Sequence, residues 1–125
     1  MSTILVIEDN EPNLALATFL LESAGYVVLA ARDAESGIAL ARAERPSLIL
    51  MDIQLPGMDG LVATGQLKLH ERTRSIPVIA LTALAMKGDE ERIRAAGCDG
   101  YVAKPMAYRQ FLAVVAAHLA GGGAS

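Results

Sequence analysis

Short apolar runs alternate with amphipathic segments along most of the chain. Five runs are apolar on both faces of an extended backbone, which is typical of buried parallel strands; they lie at residues 4–7, 26–29, 48–51, 78–81 and 101–103. The intervals between them are long enough for helices, and Leu14, Ala17 and Leu21 follow one helical stripe. The pattern predicts five strands that alternate with five helices.

Proline and glycine support these boundaries. Pro12 suits the first turn of a helix, Gly25 and Gly97 lie where helices should end, and Pro46 and Pro77 precede strands without interrupting them. Parallel strands that alternate with helices need crossover connections. The sequence therefore predicts an α/β fold with an open parallel sheet that helices cover on both faces.

Length and charge narrow the class of protein. The chain has 125 residues, of which 53% are hydrophobic, so we expect one domain, with a flexible tail at residues 121–125. The formal net charge of -3 argues against partners such as nucleic acid or an anionic membrane. A single cysteine and the absence of a signal-like or membrane-spanning stretch predict a soluble, cytoplasmic protein.

Reactive side chains follow four of the five predicted strands. Glu8 and Asp9 come after the first strand, Asp52 after the third, Thr82 after the fourth and Lys104 after the fifth. In an open α/β sheet the ligand crevice lies outside the carboxyl ends of the strands. We therefore expect three carboxylates, a hydroxyl and an ammonium group on one rim of the sheet.

Together, these side chains are suited to a metal-assisted attack on phosphorus. Three neighbouring carboxylates repel one another unless a cation offsets their charge, and hard oxygen ligands favour Mg²⁺. Asp52, on a central strand, is the candidate nucleophile toward phosphorus, with the metal held through Glu8 and Asp9. Lys104 would neutralise the phosphoryl oxygens and Thr82 would donate a hydrogen bond to them.

Each of these residues also has an ordinary explanation. Asp9 or Asn10 can cap the first helix, and Asp52 can be a turn residue. Thr82 can simply end a strand, and Lys104 can be a solvated surface charge. Their convergence on one edge of one sheet favours the functional interpretation.

Four sequence motifs together resemble the receiver domains of bacterial two-component response regulators. They lie at residues 4–10 (ILVIEDN), 50–60 (LMDIQLPGMDG), 79–83 (IALTA) and 101–105 (YVAKP). The resemblance implies a receiver domain over residues 1–120 and a flavodoxin-like (CheY-like) three-layer sandwich. Its five-stranded parallel sheet would have the order 2-1-3-4-5, with five helices.

The resemblance also implies roles for individual residues. Asp52 would accept a phosphoryl group, with Mg²⁺ bound by Asp9, Asp52 and the backbone carbonyl of Gln54, while Glu8 acts largely through water. Such domains aim the lysine with a cis bond, here between Lys104 and Pro105.

Thr82 and Tyr101 correspond to the switch residues of such domains. Their movement would change the face formed by the fourth helix, the fifth strand and the fifth helix.

The expected function is a single-domain response regulator of a phosphorelay, a signalling domain and not an enzyme. Its partners would be a sensor histidine kinase or histidine phosphotransfer protein and a downstream protein effector, with the chain a monomer or weak dimer. One alternative is a receiver fragment of a hybrid histidine kinase. Another is a small Mg²⁺-dependent phosphatase with an aspartyl nucleophile. Gln54 argues against this alternative, because such enzymes place an acid two residues after the nucleophile.

Overall fold

Strands and helices alternate in the computed structural model, which describes residues 2–83, 87–104 and 107–123. The elements of this part of the chain are β1 (Thr3–Ile7), α1 (Glu11–Ser23), β2 (Val27–Ala31), α2 (Ala34–Glu44), β3 (Leu48–Asp52), α3 (Gly60–Leu69), β4 (Val78–Thr82), α4 (Lys87–Ala95), β5 (Gly100–Ala103) and α5 (Tyr108–Gly123). The predicted cis bond between Lys104 and Pro105 lies outside the described residues.

The strands form one parallel sheet in the order β2-β1-β3-β4-β5, which confirms the predicted fold class. The chain first moves from β1 outward to β2 and then returns to the other side of β1, so the direction of winding reverses between β1 and β3. A crevice opens at such a reversal because the connecting helices leave toward opposite faces of the sheet.

Side chains that alternate along the central strands fill two separate cores, one on each face of the sheet. The core under α2, α3 and α4 includes Leu5, Ile7, Ile49, Met51, Ile38, Ala63, Leu67 and Ile93. The core under α1 and α5 includes Ile4, Val6, Leu48, Leu50, Ala17, Leu21, Phe111 and Val115. The period of two along each strand therefore produces the three layers.

The second strand is less buried than the sequence predicts. Its burial was inferred from apolar residues on both faces, but only Ala31 of β2 is fully buried and Val27 is 43% exposed. The reason is its position, because β2 forms an edge of the sheet and has a neighbouring strand on one side only.

Polar caps determine where three helices begin. The Asn10 side chain accepts a hydrogen bond from the Asn13 backbone at the start of α1, where a proline also stands in the first turn. Asp33 caps α2 through the Ser36 backbone, and Asp59 caps α3. Since Asn10 is the cap of α1, the neighbouring Asp9 is left available for another role.

Helix α4 is the most polar of the helices. Ile93 is its only fully buried residue among those of α4 whose side chains the structure describes. This helix therefore has a small apolar contact with the sheet compared with α1 and α5.

The final helix continues to Gly123, which is three residues into the stretch predicted as a tail. Residues 124 and 125 lie outside the described residues, and the flexibility of the tail stays a prediction. None of the helices within the described ranges has the length and apolar character needed to cross a bilayer.

The two phenylalanines provide a matched test of the core. Phe111 on α5 is fully buried, whereas Phe19 on α1 is 66% exposed. We expect Phe111→Ala to lower the free energy of unfolding by about 3–5 kcal/mol because it removes a large buried side chain and leaves a cavity. Phe19→Ala should change it by less than about 1 kcal/mol. Urea unfolding followed by circular dichroism measures both, and equal losses would contradict this assignment of the core.

Candidate functional site

The candidate site lies at the carboxyl ends of β1, β3 and β5. Ile7, the last residue of β1, is paired with Met51 of β3, so that the following residues, Glu8 and Asp52, come level with each other. Lys104 follows directly after β5. The sheet register therefore brings together side chains that are separated by up to 96 positions in the chain.

Three carboxylates form a cluster at this edge. One oxygen each from Glu8, Asp9 and Asp52 lies within 4.8 Å of the other two. Glu8 and Asp52 are buried, with 1% and 2% of their surface exposed, whereas Asp9 is open to solvent. Buried like charges this close repel strongly, so the cluster needs a cation or a proton.

Lys104 supplies positive charge to both buried carboxylates. Its Nζ lies 2.9 Å from Glu8 Oε2 and 3.3 Å from Asp52 Oδ2. The backbone of Lys104 is fixed as well, because its N–H donates to the Thr82 carbonyl at 2.7 Å. Lys104 is therefore a partly buried member of the site, and the alternative of a solvated surface charge is wrong.

Backbone amides hold the other oxygen of each buried carboxylate. Gln54 N–H donates to Asp52 Oδ1 at 2.9 Å, and Asn10 N–H donates to Glu8 Oε1 at 3.2 Å. In both cases the donor stands two residues after the acid. Each carboxylate thus has one oxygen held by the backbone and one directed toward the ammonium group of Lys104.

The environment of Glu8 shifts its titration. Burial raises the pKa of Glu8, and the neighbouring Asp52 carboxylate raises that pKa further, while the hydrogen bond with Lys104 opposes the rise. Burial is the largest of these effects. The ionised form of Glu8 is therefore costly to keep in the folded protein without an additional cation.

The carboxylate cluster fits a magnesium ion. Octahedral ligands about 2.1 Å from Mg²⁺ lie about 3–4 Å apart, and Mg²⁺ in proteins is held by one or two carboxylates with water in the remaining positions. The oxygens of Glu8, Asp9 and Asp52 already lie within 4.8 Å of one another. The exposed Asp9 leaves one side of the cluster open to water, as such an ion requires.

The two predicted switch residues lie on adjacent strands. Thr82 is the last residue of β4 and is fully buried. Tyr101 of β5 is half-buried, and its hydroxyl donates to Glu90 Oε2 on α4 at 3.3 Å. Glu90 also pairs with Arg94, whose Nε lies 3.6 Å from Glu90 Oε1. Tyr101 is thus tied to α4 through a polar network that its sequence position did not indicate.

The structure gives Gly60 a position that sequence reasoning missed. This residue starts α3, and its N–H donates to the carbonyl of Ile53, the residue after Asp52, at 3.3 Å. In the sequence, Gly60 is only the last residue of the motif at residues 50–60. The available signal was an Asp-Gly pair at a helix start, which does not show what the glycine contacts.

Comparison with known proteins assigns the family. The family model described as the response regulator receiver domain matches residues 4–116 of the sequence. The chain therefore belongs to the response regulator receiver domain family, whose members are signalling domains of two-component systems.

Among curated relatives, the chain is similar to the polar-differentiation response regulator DivK of Brucella anthropi. The two are 47% identical over 117 residues, which cover 94% of this chain and 95% of that protein. DivK of Brucella melitensis is similar to the same extent. The receiver domain is thus of the DivK type.

Solved structures agree with this assignment. The receiver domain of the sensor histidine kinase PA1611 from Pseudomonas aeruginosa, solved with a magnesium ion in its active-site cleft, has a TM-score of 0.89 and 35% identity. The match covers 95% of this chain and 98% of that one. A putative response regulator from Chloroflexus aurantiacus has a TM-score of 0.91 and 27% identity, with the same coverage.

Replacing Glu8 by glutamine should stabilise the metal-free protein at neutral pH. Because the pKa of Glu8 is raised on folding, the folded state binds more protons than the unfolded state once the pH exceeds its ordinary value near 4.5. The stability of the unsubstituted protein relative to Glu8→Gln therefore falls as pH rises through the raised pKa. Below that ordinary value the difference should no longer change with pH, because Glu8 is protonated in both states.

Urea unfolding with a chelator present, repeated across the acidic to neutral range, measures this difference. Glu22→Gln on the exposed surface of α1 is the matched control, because it makes the same chemical change on a different part of the molecule. A Glu8→Gln protein that is less stable than the unsubstituted one at neutral pH would contradict the expectation.

Proposed function

We propose that the protein is a phosphorelay response regulator in which Asp52 accepts a phosphoryl group from a phosphohistidine. The observation that carries this proposal is the placement of the Asp52 carboxylate. It is buried, one oxygen is held by the Gln54 N–H, and the other lies 3.3 Å from Lys104 Nζ. Membership of the receiver domain family supports it.

In the proposed reaction a carboxylate oxygen of Asp52 attacks phosphorus, and an acyl phosphate forms as the bond from phosphorus to the histidine nitrogen breaks. The carboxylate is fixed before the reaction by the Gln54 amide, which reduces the motion lost on reaching the attacking geometry. Hydrolysis of the acyl phosphate later restores Asp52. The chain catalyses only its own phosphorylation and dephosphorylation.

Residues around Asp52 would hold a magnesium ion during this transfer. Glu8, Asp9 and Asp52 supply the carboxylates, and the backbone carbonyl of Gln54 completes the protein ligands, with Glu8 acting largely through water. Mg²⁺ would there offset the negative charge of the phosphoryl oxygens. The ion reported in the cleft of the PA1611 receiver supports this assignment.

Lys104 provides the second positive charge. Its ammonium group now lies between Glu8 and Asp52, where a phosphoryl group on Asp52 would become its strongest partner. The attraction is large because the group is mostly shielded from solvent, with 16% of its side chain exposed. We propose that Lys104 stabilises the phosphorylated form in this way.

Thr82 and Tyr101 would convert phosphorylation into a change of surface. A hydrogen bond from the Thr82 hydroxyl to the phosphoryl group would draw Thr82 toward Asp52 and leave room for Tyr101 to turn inward. The Tyr101 hydroxyl would then leave Glu90, which ties it to α4 at present. The face made of α4, β5 and α5 would change shape and bind a protein effector.

The proposal includes a sensor histidine kinase or histidine phosphotransfer protein as the phosphodonor, a cytoplasmic location and a monomer or weak dimer. A second candidate is a receiver domain that belongs to a hybrid histidine kinase. The 35% identity to the PA1611 receiver, which is part of a sensor histidine kinase, favours this alternative. The chemistry at Asp52 is the same in both, and sequencing the natural gene beyond Ser125 separates them.

Asp52→Asn should abolish phosphate incorporation, because an amide oxygen is a far weaker nucleophile than a carboxylate. Radiolabelled acetyl phosphate with Mg²⁺ is the phosphodonor, and bound label is counted after gel separation. Asp99→Asn is the matched control, since Asp99 precedes β5 at the opposite edge of the sheet and an asparagine there can still accept the hydrogen bond from the Val78 N–H. Labelling of Asp52→Asn at the level of the control would remove Asp52 as the acceptor.

Thr82→Ala should take up beryllofluoride, a phosphoryl mimic, but fail to move Tyr101. The side-chain hydroxyl would be missing, so the inward state of Tyr101 would gain no hydrogen bond and its population should stay low. Ring resonances of Tyr101 in NMR spectra, recorded with and without beryllofluoride, report the change. Thr82→Ser retains the hydroxyl and should behave as the unsubstituted chain does. A full Tyr101 response in Thr82→Ala would exclude Thr82 from the switch.

A further inference from the structure

We infer that Gly60 is a positioning residue for the phosphorylation site, because its lack of a side chain allows α3 to begin against the backbone of Asp52 and Ile53. The inference rests on the proposed function, since it concerns how Asp52 and its metal ligands are placed. Gly60 itself touches neither the carboxylate of Asp52 nor a phosphoryl group.

The contact of Gly60 with this backbone leaves no room for a methyl group. A Cβ atom at Gly60 would overlap the carbonyl oxygen of Asp52, and it would lie 2.6 Å from Ile53 Cα and 3.0 Å from the Asp52 carbonyl carbon. Ordinary van der Waals contact begins near 3.4 Å. The distance from the added Cβ atom to Ile53 Cα would therefore have to increase by about 0.8 Å. All three atoms belong to the backbone, and no change of rotamer can relieve the overlap.

A Cβ atom at Gly60 would displace the backbone at Asp52 and Ile53, and this segment orients the Asp52 carboxylate. The next residue, Gln54, donates its N–H to Asp52 Oδ1 at 2.9 Å. Its carbonyl group is the proposed backbone ligand for Mg²⁺. A shift of this segment by most of an ångström would therefore misplace both the carboxylate and the carbonyl oxygen.

Residue 60 is a glycine because there is no space for a side chain, and not because the backbone there needs a conformation that favours glycine. The glycines with positive φ among the described residues are Gly25, Gly57 and Gly97, whereas Gly60 stands in the first turn of α3. Alanine is intrinsically a better helix former than glycine at such a position. The cost of Gly60→Ala should therefore arise at the contact with Asp52 and Ile53.

Helix α3 also contains a matched control. Gly65 lies five residues later in the same helix, and a Cβ atom there would meet none of the described residues within 4 Å. Gly65→Ala makes the same chemical change without disturbing the site, and it should raise the melting temperature because of the helix propensity of alanine.

The experiment compares the unsubstituted 125-residue chain, Gly60→Ala and Gly65→Ala. Mg²⁺ titrations followed by amide NMR give the Kd for the metal alone, acetyl phosphate labelling gives the phosphorylation rate, and circular dichroism gives the melting temperature. For Gly60→Ala we expect a Kd for Mg²⁺ raised by about tenfold or more, as for the loss of other groups that orient metal ligands. We also expect slower labelling at saturating Mg²⁺. Gly65→Ala should match the unsubstituted chain in both.

The other possible results separate a failure of the inference about Gly60 from a failure of the proposed function. A folded Gly60→Ala protein with an unchanged Kd and labelling rate overturns the inference. Should Gly60→Ala be unfolded, the double variant with Gly65→Ala repeats the test in a more stable helix. Failure of that variant to fold also overturns the inference, because Gly60 would then be needed for the whole fold. If the unsubstituted chain and Gly65→Ala take up neither Mg²⁺ nor phosphate, the proposed function itself is wrong.

Discussion

The ion pairing of one lysine with two buried carboxylates is the interaction on which the site depends. Glu8 and Asp52 are almost fully buried, and Lys104 Nζ lies 2.9 Å and 3.3 Å from their oxygens. Without that ammonium group the two acids would repel each other in a medium that screens charge poorly. The arrangement also leaves the cluster with more negative than positive charge. The site can therefore accommodate a further cation beside Lys104.

The sheet makes this pairing possible at little cost to the remainder of the molecule. The carboxyl ends of β1, β3 and β5 meet on one rim because the strands are parallel, and the register of Ile7 with Met51 brings Glu8 level with Asp52. The apolar cores lie behind this rim, on the two faces of the sheet. Among the described residues, the buried carboxylates are thus confined to the edge where backbone N–H groups beyond the strand ends donate hydrogen bonds to them.

Much of this could be predicted from the sequence, since β3 and β4 are apolar on both faces and the acids follow strands directly. Other features depend on contacts that a linear pattern does not contain. The edge position of β2 made its apolar run misleading, and the cap of α1 could have been Asp9 or Asn10, because both side chains can accept the same hydrogen bond. The hydrogen bond from Tyr101 to Glu90 links two elements, and Gly60 approaches the backbone of Asp52 and Ile53, which lie eight and seven residues earlier in the chain.

The sparse anchoring of α4 gives it a distinct mechanical character. Ile93 is the one fully buried side chain among those described for this helix, and burying an isoleucine contributes only about 1.5–3 kcal/mol. The part-buried hydrogen bond from Tyr101 to Glu90 adds a second contact. A displacement of α4 would therefore break fewer core contacts than a displacement of α1 or α5, whose buried side chains belong to the opposite core. Of these three helices, α4 is the one that buried apolar side chains hold least, among the side chains that the structure describes.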